Sequence, residues 1–208
     1  MKTFIRYMFG TIFLPRRAFG RLMADPRPAR RGFQAVLLAG FLYVLTTAAL
    51  AVTGAVPMAP IFLHVRVENY HFWQMLFILP LFVLIWLFAS VLVHVLGRGS
   101  RKGGSLRRTL SVFGFSLAVP VILLWVPQMA IAVFYGLGMG QQEMVDILSE
   151  PGRAQTFYLA AHVLALLWAY GLCSVAASVS QRIPWWKGLL LGILAGSIFA
   201  AAAVGFLR

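Results

Sequence analysis

Few side chains that could do chemistry lie within the long apolar stretches of this sequence. The strongly polar ones are Gln74, His94, Gln128 and His162. His94 and His162 could act in a proton relay, but a neutral histidine that hydrogen-bonds to a neighbouring helix is the more frequent arrangement in such stretches. The stretches contain no Asp or Glu, whereas a coupled ion transporter normally places an ionisable side chain on its pathway. The composition therefore disfavours active coupled transport.

A candidate polar cavity centres on Pro120 and Pro127, which lie one heptad apart and so share nearly one helical face. A proline inside a helix frees the carbonyl four residues earlier. Because an unpaired carbonyl in lipid costs several kcal/mol, we expect this face to turn inward. Gln128 and the Ser116 hydroxyl are the expected partners of the freed groups. The candidate lining comprises Gln128, His162, Pro120 and Pro127, and a static kink without a cavity is the alternative.

The remaining residues offer little catalytic or metal-binding chemistry. His64 and His71 could bind a metal, but Glu68 is the only carboxylate near them and their spacing matches no metal-site pattern. The glycines between positions 97 and 104 match neither GxxxxGKS/T nor GxGxxG. The single Cys173 excludes an intrachain disulfide. No nucleophile-base or paired-carboxylate arrangement can be assembled on one side, so we predict no enzymatic activity, cofactor or metal.

Five long apolar stretches must position these polar side chains. They cover residues 32–56, 72–96, 109–138, 154–180 and 184–207. Each exceeds the ~20 residues that a helix needs to cross a ~30 Å hydrocarbon core. With 61% hydrophobic and 11% charged residues, the chain has too little polar surface for a water-soluble domain. The predicted fold is all-α: a five-helix transmembrane domain over residues 32–208, preceded by a basic amphipathic interfacial segment over residues 1–31.

Basic residues cluster on alternate loops. Fifteen of the 18 Lys and Arg residues lie in the N-terminal segment and in the second and fourth connections, opposed only by Asp25. Since such segments resist translocation, we predict an integral membrane protein with a cytoplasmic N-terminus and an outside C-terminus. The net charge of +13 would suit nucleic-acid binding, but no helix-turn-helix, zinc or aromatic-strand pattern accompanies it. We therefore predict no nucleic-acid partner.

The basic residues on the cytoplasmic side are predicted to contact anionic lipid of the inner leaflet, where each Lys or Arg contributes up to about 1 kcal/mol. The helical spacing of apolar residues over positions 1–24 predicts two short amphipathic helices. The second starts at Pro15, because proline suits a first helical turn. We expect Phe19, Leu22 and Met23 to enter the headgroup region. A docking surface for a cytosolic protein is the alternative role. The predicted lipid-contacting residues are Lys2, Arg6, Arg16, Arg17, Arg21, Arg30, Arg31, Arg101, Lys102, Arg107 and Arg108.

Ladders of small residues predict how the last two spans pack. Gly188, Gly192 and Gly196 recur every four residues in the fifth stretch, and Ala165 and Ala169 belong to a similar ladder in the fourth. Small residues let helix backbones approach closely where lipid removes the hydrophobic driving force. We therefore expect these two helices to form an antiparallel pair.

The connection over residues 136–153 predicts a short acidic helix that caps the bundle. Its apolar side would carry Met144, Ile147 and Leu148. The residues expected to face solvent are Gln141, Gln142, Glu143, Asp146 and Glu150.

Three segments resemble the Yip domain family of five-span membrane proteins. They are LPRRAFGRLMADP (14–26), GSLRRTLSVFGFSLAVPVILLW (104–125) and AHVLALLWAYGLCSVAASVSQRIPWWKGLL (161–190). The resemblance implies a cytosolic N-terminus and an opposite C-terminus. Eukaryotic members interact with Rab-type GTPases and act in vesicle formation and membrane shaping, through a longer cytosolic N-terminal region. This chain lacks that region's acidic and aromatic-Gly-Pro sequence, so the resemblance implies a bacterial-type member, located in the bacterial inner membrane. It implies no catalytic residues.

Two functional hypotheses follow. The leading one is a non-enzymatic integral membrane scaffold or membrane-organising protein of the Yip-domain type. Its partners would be lipids of the anionic inner leaflet, a membrane or cytosolic protein, and a second copy of the chain. The alternative is a passive channel or a lipid or small-molecule permease, with a path near Gln128 and His162.

Overall fold

The computed structural model describes residues 2–57, 66–98 and 104–206. The helices are α1 (Lys2–Phe13), α2 (Pro15–Met23), α3 (Pro28–Val52), α4 (Tyr70–Gly97), α5 (Leu106–Gly136), α6 (Gln141–Ser149), α7 (Arg153–Gln181) and α8 (Trp185–Phe206). Helices α3, α4, α5, α7 and α8 are long and apolar enough to cross a membrane. The predicted class is confirmed: an all-α membrane protein with five spanning helices and an N-terminal helical segment.

The first spanning helix lies about one turn earlier in the sequence than its apolar stretch. Helix α3 begins at Pro28 because proline has the backbone angle of a first helical turn and needs no hydrogen-bond donor there. It ends at Val52, just before Gly54, whose φ of 70° is a left-handed conformation that stops a helix. Arg30 and Arg31 therefore belong to the first turns of α3.

Consecutive spanning helices run in opposite directions, so each end of the bundle carries the starts of some helices and the ends of others. The two ends differ in charge. We call one the basic end: it carries α1, α2, the starts of α3, α5 and α8, and the ends of α4 and α7. The other is the α6 end, which carries α6 and residues 53–57. Of the described Lys and Arg residues, all but Arg66 and Arg153 lie at the basic end.

Helix α5 forms the centre of the bundle and packs on α3, α4 and α7. Its residues 111–121 are all buried. Gly32 and Gly114 bring the backbones of α3 and α5 into contact, because a Cβ on Gly114 would overlap the backbone of Gly32. The Trp86 indole of α4 donates to the Leu110 carbonyl at 2.8 Å. The half of the bundle next to the basic end, which we call the basic half, is therefore closely packed; the other half is the α6 half.

Helices α1 and α2 pack onto the basic half through their apolar faces. Phe19 and Leu22 are 0% and 1% exposed, and they belong to the same core cluster as residues of α5 and α7. The Phe4 and Tyr7 rings lie 5.5 and 6.1 Å from the Phe115 ring. Phe19 and Leu22 were expected in the headgroup region, but the structure places them inside the protein. Helix α2 packs on α7, and the α7 members of the same cluster include three small residues: Cys173, Ala176 and Ala177.

Helices α7 and α8 form an antiparallel pair joined by a tight turn. Arg182, with φ of 54°, ends α7, and the Ser178 hydroxyl donates to the Ile183 carbonyl at 3.1 Å. Three glycines of α8 face α7, and their nearest contacts are Gly188 with Ser178, Gly192 with Ser174 and Gly196 with Tyr170. A Cβ at any of these glycines would overlap its partner, so the close approach depends on glycine. The α7 residues that face the glycines thus differ from Ala165 and Ala169, which lie on the adjacent row of α7.

Candidate functional site

A largely apolar cavity of about 280 Å³ opens between α3, α5, α7 and α8. Its lining includes Pro120 and Gln128 from α5 and His162, Ala165 and Ala169 from α7. The structure therefore brings these predicted site residues to one cavity, and the two alanines line it instead of facing the glycines of α8. Pro127 is half-buried on the same helix but is not among the residues that line the cavity.

A second cavity of about 280 Å³ lies nearer the α6 end, between α3, α4, α5 and α7. Its lining is more polar and includes Thr46, Thr47, His71 and Tyr135. Three residues line both cavities and form the wall between them: Tyr43, Gln128 and His162.

Hydrogen bonds join Gln128 and His162 of this wall to each other and to Tyr158, which lines the second cavity. His162 Nδ1 lies 2.8 Å from the Tyr158 carbonyl oxygen, and because a carbonyl only accepts, Nδ1 carries the proton. His162 Nε2 then accepts from Gln128 Nε2 at 3.2 Å. The same amide nitrogen donates to the Tyr158 hydroxyl at 3.3 Å. Both imidazole nitrogens are thus engaged, and the Gln128 contact links α5 to α7.

The expected partners of the proline-freed carbonyls make other contacts. The Ser116 hydroxyl donates to the Val112 carbonyl at 2.9 Å and lies 3.3 Å from the Leu172 carbonyl. A helical serine reaches the carbonyl four residues earlier most easily, which explains the first contact. Gln128 is directed to α7 as described above. The predicted pairing of Gln128 and Ser116 with the freed carbonyls is therefore wrong.

His71 and His162 line the second cavity together, whereas His94 does not line it. His94 is buried near the end of α4, at the basic end, and is remote from His162. His71 lines the second cavity, with Nδ1 at 3.1 Å from Gln74 Oε1. His64 lies outside the described residues. Within the described part of the chain, no three His, Cys, Asp or Glu side chains are grouped to hold a metal ion.

Helix α6 is fixed to the bundle by Gln141, a residue that was expected to face solvent. Gln141 Oε1 accepts from the Tyr135 hydroxyl at 2.7 Å, and Nε2 donates to the Val56 carbonyl at 3.2 Å. Met144 is buried against the same region. Gln141 thus joins α6 to Val56 and Tyr135, two residues that line the second cavity.

The basic residues predicted to contact lipid lie at the basic end wherever the structure describes them. Arg31 and Arg108 are half-buried, and Arg101 and Lys102 fall outside the described residues. Arg107 donates to the Pro26 carbonyl and so ties α5 to the turn before α3. The exposed members are Lys2, Arg6, Arg16, Arg17, Arg21, Arg30 and Arg107.

Asp25 links the turn after α2 to α3. Its carboxylate lies 3.5 Å from Arg31 Nε and accepts hydrogen bonds from the Arg27 backbone N–H at 2.9 Å and the Tyr7 hydroxyl at 3.3 Å. Burial alone would raise the pKa of Asp25, but the Arg27 hydrogen bond, the Arg31 charge and the Tyr7 hydrogen bond together lower it. Asp25 is therefore held in its charged form, with its oxygens turned toward these groups.

The sequence analysis did not predict that Tyr43, His71 and Tyr158 line the cavities. The spacing of Tyr158 and His162 by four residues was a usable signal, because such pairs are neighbours on one helical face. Tyr43 carries no comparable signal, since its position opposite Gln128 depends on how α3 packs against α5.

A family model of the Yip1 domain matches residues 9–207 of this chain. The match includes all five spanning helices, α2 and the last turn of α1. Comparisons with curated proteins and with solved structures give no match. The matched region covers nearly the whole chain, and the protein therefore belongs to the Yip1 domain family.

Proposed function

We propose that this Yip1-family protein is a non-enzymatic integral membrane scaffold that organises lipid and protein partners. The observation that carries the proposal is the docking of α1 and α2 on the bundle. Phe19 and Leu22 anchor α2 in the core, while Arg16, Arg17 and Arg21 on the same helix are exposed. A fixed helix with one buried and one charged face is suited to holding a partner at a membrane surface.

The proposal includes the orientation of the bundle in the membrane. The concentration of Lys and Arg at the basic end supports a cytoplasmic position for that end, by the rule that basic connections resist translocation. We propose the bacterial inner membrane as the location. There the anionic cytoplasmic leaflet attracts each surface Lys or Arg by about 1 kcal/mol, less at higher salt.

Docking also reduces the cost of binding. A disordered basic segment must lose conformational entropy when it engages a partner, whereas α1 and α2 are already folded against α5 and α7. The guanidinium groups are thereby placed in advance, which favours selective contacts over diffuse attraction.

The test is the composition of what surrounds the protein in its own membrane. The chain would be extracted in polymer nanodiscs without detergent, and the retained lipids and proteins measured by mass spectrometry. We expect enrichment of anionic lipid over the bulk membrane, together with a second copy or another protein after cross-linking. Repeated recovery of a monomer surrounded by lipid of bulk composition would contradict the scaffold.

A passive permease is the second candidate, and the two cavities that share the Gln128–His162 wall favour it. A path would have to continue from the first cavity through the basic half, where α5 residues 111–121 are buried. Flux of small solutes from liposomes, lost in the Gln128→Leu variant, would support the permease. Equal leakage from protein-containing and empty liposomes would exclude it.

A further inference from the structure

A groove of about 310 Å³ lies between α1 and α2 and is lined by three arginines. Arg6 belongs to α1, and Arg17 and Arg21 lie one turn apart on α2, so their side chains share a face. The two helices are close where they cross, because a Cβ on Gly10 would lie 3.1 Å from the Cβ of Ala18. Both of those residues also line the groove. The groove is therefore part of the folded contact between α1 and α2.

Among the residues that the structure describes, those lining this groove include no carboxylate. Asp25, the acid of the N-terminal segment, is already engaged with Arg31, the Arg27 N–H and the Tyr7 hydroxyl. Three like charges around one concave surface create a positive potential that attracts an anion. Guanidinium groups bind phosphate oxygens through two parallel hydrogen bonds, which makes phosphate a well-matched anion.

The rim of the groove is apolar and uncovered. Phe9, Phe13 and Leu14, which line it, are 60%, 73% and 55% exposed. In an amphipathic helix at a membrane, such side chains enter the boundary between headgroups and acyl chains while the arginines stay at headgroup level. The charged groove and its apolar rim thus match the two parts of a phospholipid.

We propose that the α1–α2 groove binds one anionic phospholipid, with the headgroup phosphate on Arg6, Arg17 and Arg21 and the acyl chains beside Phe9 and Phe13. This rests on the proposed scaffold function and deepens it. The scaffold requires only that the basic end attract lipid, whereas the groove specifies a discrete site with one occupant. The other basic residues then contribute diffuse attraction.

The test uses charge-matched variants of the full chain. Arg17→Gln/Arg21→Gln removes two charges from the groove, and Arg16→Gln/Arg30→Gln removes two exposed charges outside it. Each protein would be purified in detergent, incubated with phosphatidylglycerol or phosphatidylcholine, and analysed by native mass spectrometry for retained lipid. Thermal unfolding would check that all variants fold, and Arg17→Lys/Arg21→Lys would test charge without guanidinium geometry.

We expect the wild type and the Arg16/Arg30 variant to retain one phosphatidylglycerol in preference to phosphatidylcholine. Retention should fall at least tenfold in the Arg17/Arg21 glutamine variant, and by less in the lysine variant. Equal retention in the two glutamine variants, whether both are reduced or both unchanged, would overturn the discrete site, while general lipid enrichment in nanodiscs would still support the scaffold. Displacement of the lipid by millimolar inorganic phosphate would overturn the lipid as the occupant in favour of a soluble phosphate.

Discussion

The two halves of the bundle are built in different ways. In the basic half, α5 is buried at every position from 111 to 121, and Gly32 and Gly114 allow backbone contact with α3. In the α6 half, the same helix is partly exposed at most positions, and two cavities share the wall that contains Gln128 and His162. Close packing thus occurs where α1 and α2 are anchored, and empty space occurs where polar side chains link the helices.

This difference suggests a division of labour. A closely packed interior is difficult to deform and so holds attached elements in place, which suits the half that fixes the basic surface. A half with cavities can change its packing at a lower cost. Substitutions in the closely packed half should therefore lower the stability more than substitutions in the half with cavities. The following predictions are ordered from the largest expected loss to the smallest.

The largest effect is expected for Gly114→Leu. The new side chain would meet the backbone of Gly32, so α3 and α5 would have to separate. Overpacking of this kind costs about 3 kcal/mol or more when backbone must move. Thermal unfolding in detergent should show a large fall in Tm, whereas Gly171→Leu, which has open space around it, should leave Tm nearly unchanged. Equal Tm values for both variants would remove the evidence for close packing in the basic half.

Phe19→Ala should release α2 from the bundle. Truncation of a fully buried phenylalanine costs about 3 kcal/mol, enough to undock a helix of nine residues. Hydrogen exchange measured by mass spectrometry should show faster exchange over residues 15–23 with little change in α5. The matched control is Phe13→Ala, since Phe13 is largely exposed. Similar exchange in the two variants would mean that Phe19 does not anchor the helix.

Gly192→Leu tests the contact between α7 and α8. The leucine would overlap the backbone of Ser174, and we expect a loss of about 2 kcal/mol as the two helices move apart. Detergent stability should fall relative to the wild type and to the same Gly171→Leu control. Unchanged stability of the Gly192 variant would show that the glycines are not needed for this pairing.

Gln128→Leu should have a smaller effect, because it removes hydrogen bonds in the half that contains the cavities. Interhelical hydrogen bonds in membrane proteins contribute about 1 kcal/mol or less. A double-mutant cycle with His162→Phe should give a favourable coupling of that size. A coupling near zero would mean that the Gln128–His162 contact does not stabilise the wall between the cavities.

The smallest effect is expected for Asp25→Asn, about 1 kcal/mol or less, because asparagine keeps the shape and an acceptor oxygen of the aspartate and loses only its charge beside the partly exposed Arg31. Because the folded-state pKa of Asp25 is lowered, its contribution is present above the ordinary carboxyl pKa and is lost as the pH falls through the lowered folded-state value. The Tm difference between wild type and variant should therefore be seen at neutral pH and vanish in strong acid. A difference that grew on acidification would contradict the Arg31 and Arg27 contacts.

Much of the fold could be predicted because each part of it is encoded locally. The length of an apolar stretch is sufficient to predict a spanning helix, and Pro15 between two amphipathic segments predicts the break between α1 and α2. The acidic helix α6 follows from the same kind of pattern. Its contacts do not, since the hydrogen bonds of Gln141 to Tyr135 and Val56 require a loop folded beneath it.

The candidate site was predicted less completely because it depends on packing between helices. Gln128 and His162 attract notice as polar residues in apolar stretches, but their direct contact is set by how α5 meets α7. The burial of Phe19 was missed for a related reason. A phenylalanine on an amphipathic helix can face lipid or protein, and the packing of α2 on α5 and α7, which decides between the two, is not encoded in the local sequence.

The docking of α2 is the central feature of this account, and cysteine labelling tests it most directly. In a Cys173→Ala background, Leu22→Cys and Arg16→Cys would be treated with N-ethylmaleimide in lipid nanodiscs. Since Leu22 is 1% exposed and Arg16 is exposed, the cysteine at position 22 should stay unmodified until the protein is unfolded, while the cysteine at position 16 reacts at once. Reaction of both cysteines at similar rates would show that α2 lies free on the membrane surface and would contradict the docked scaffold.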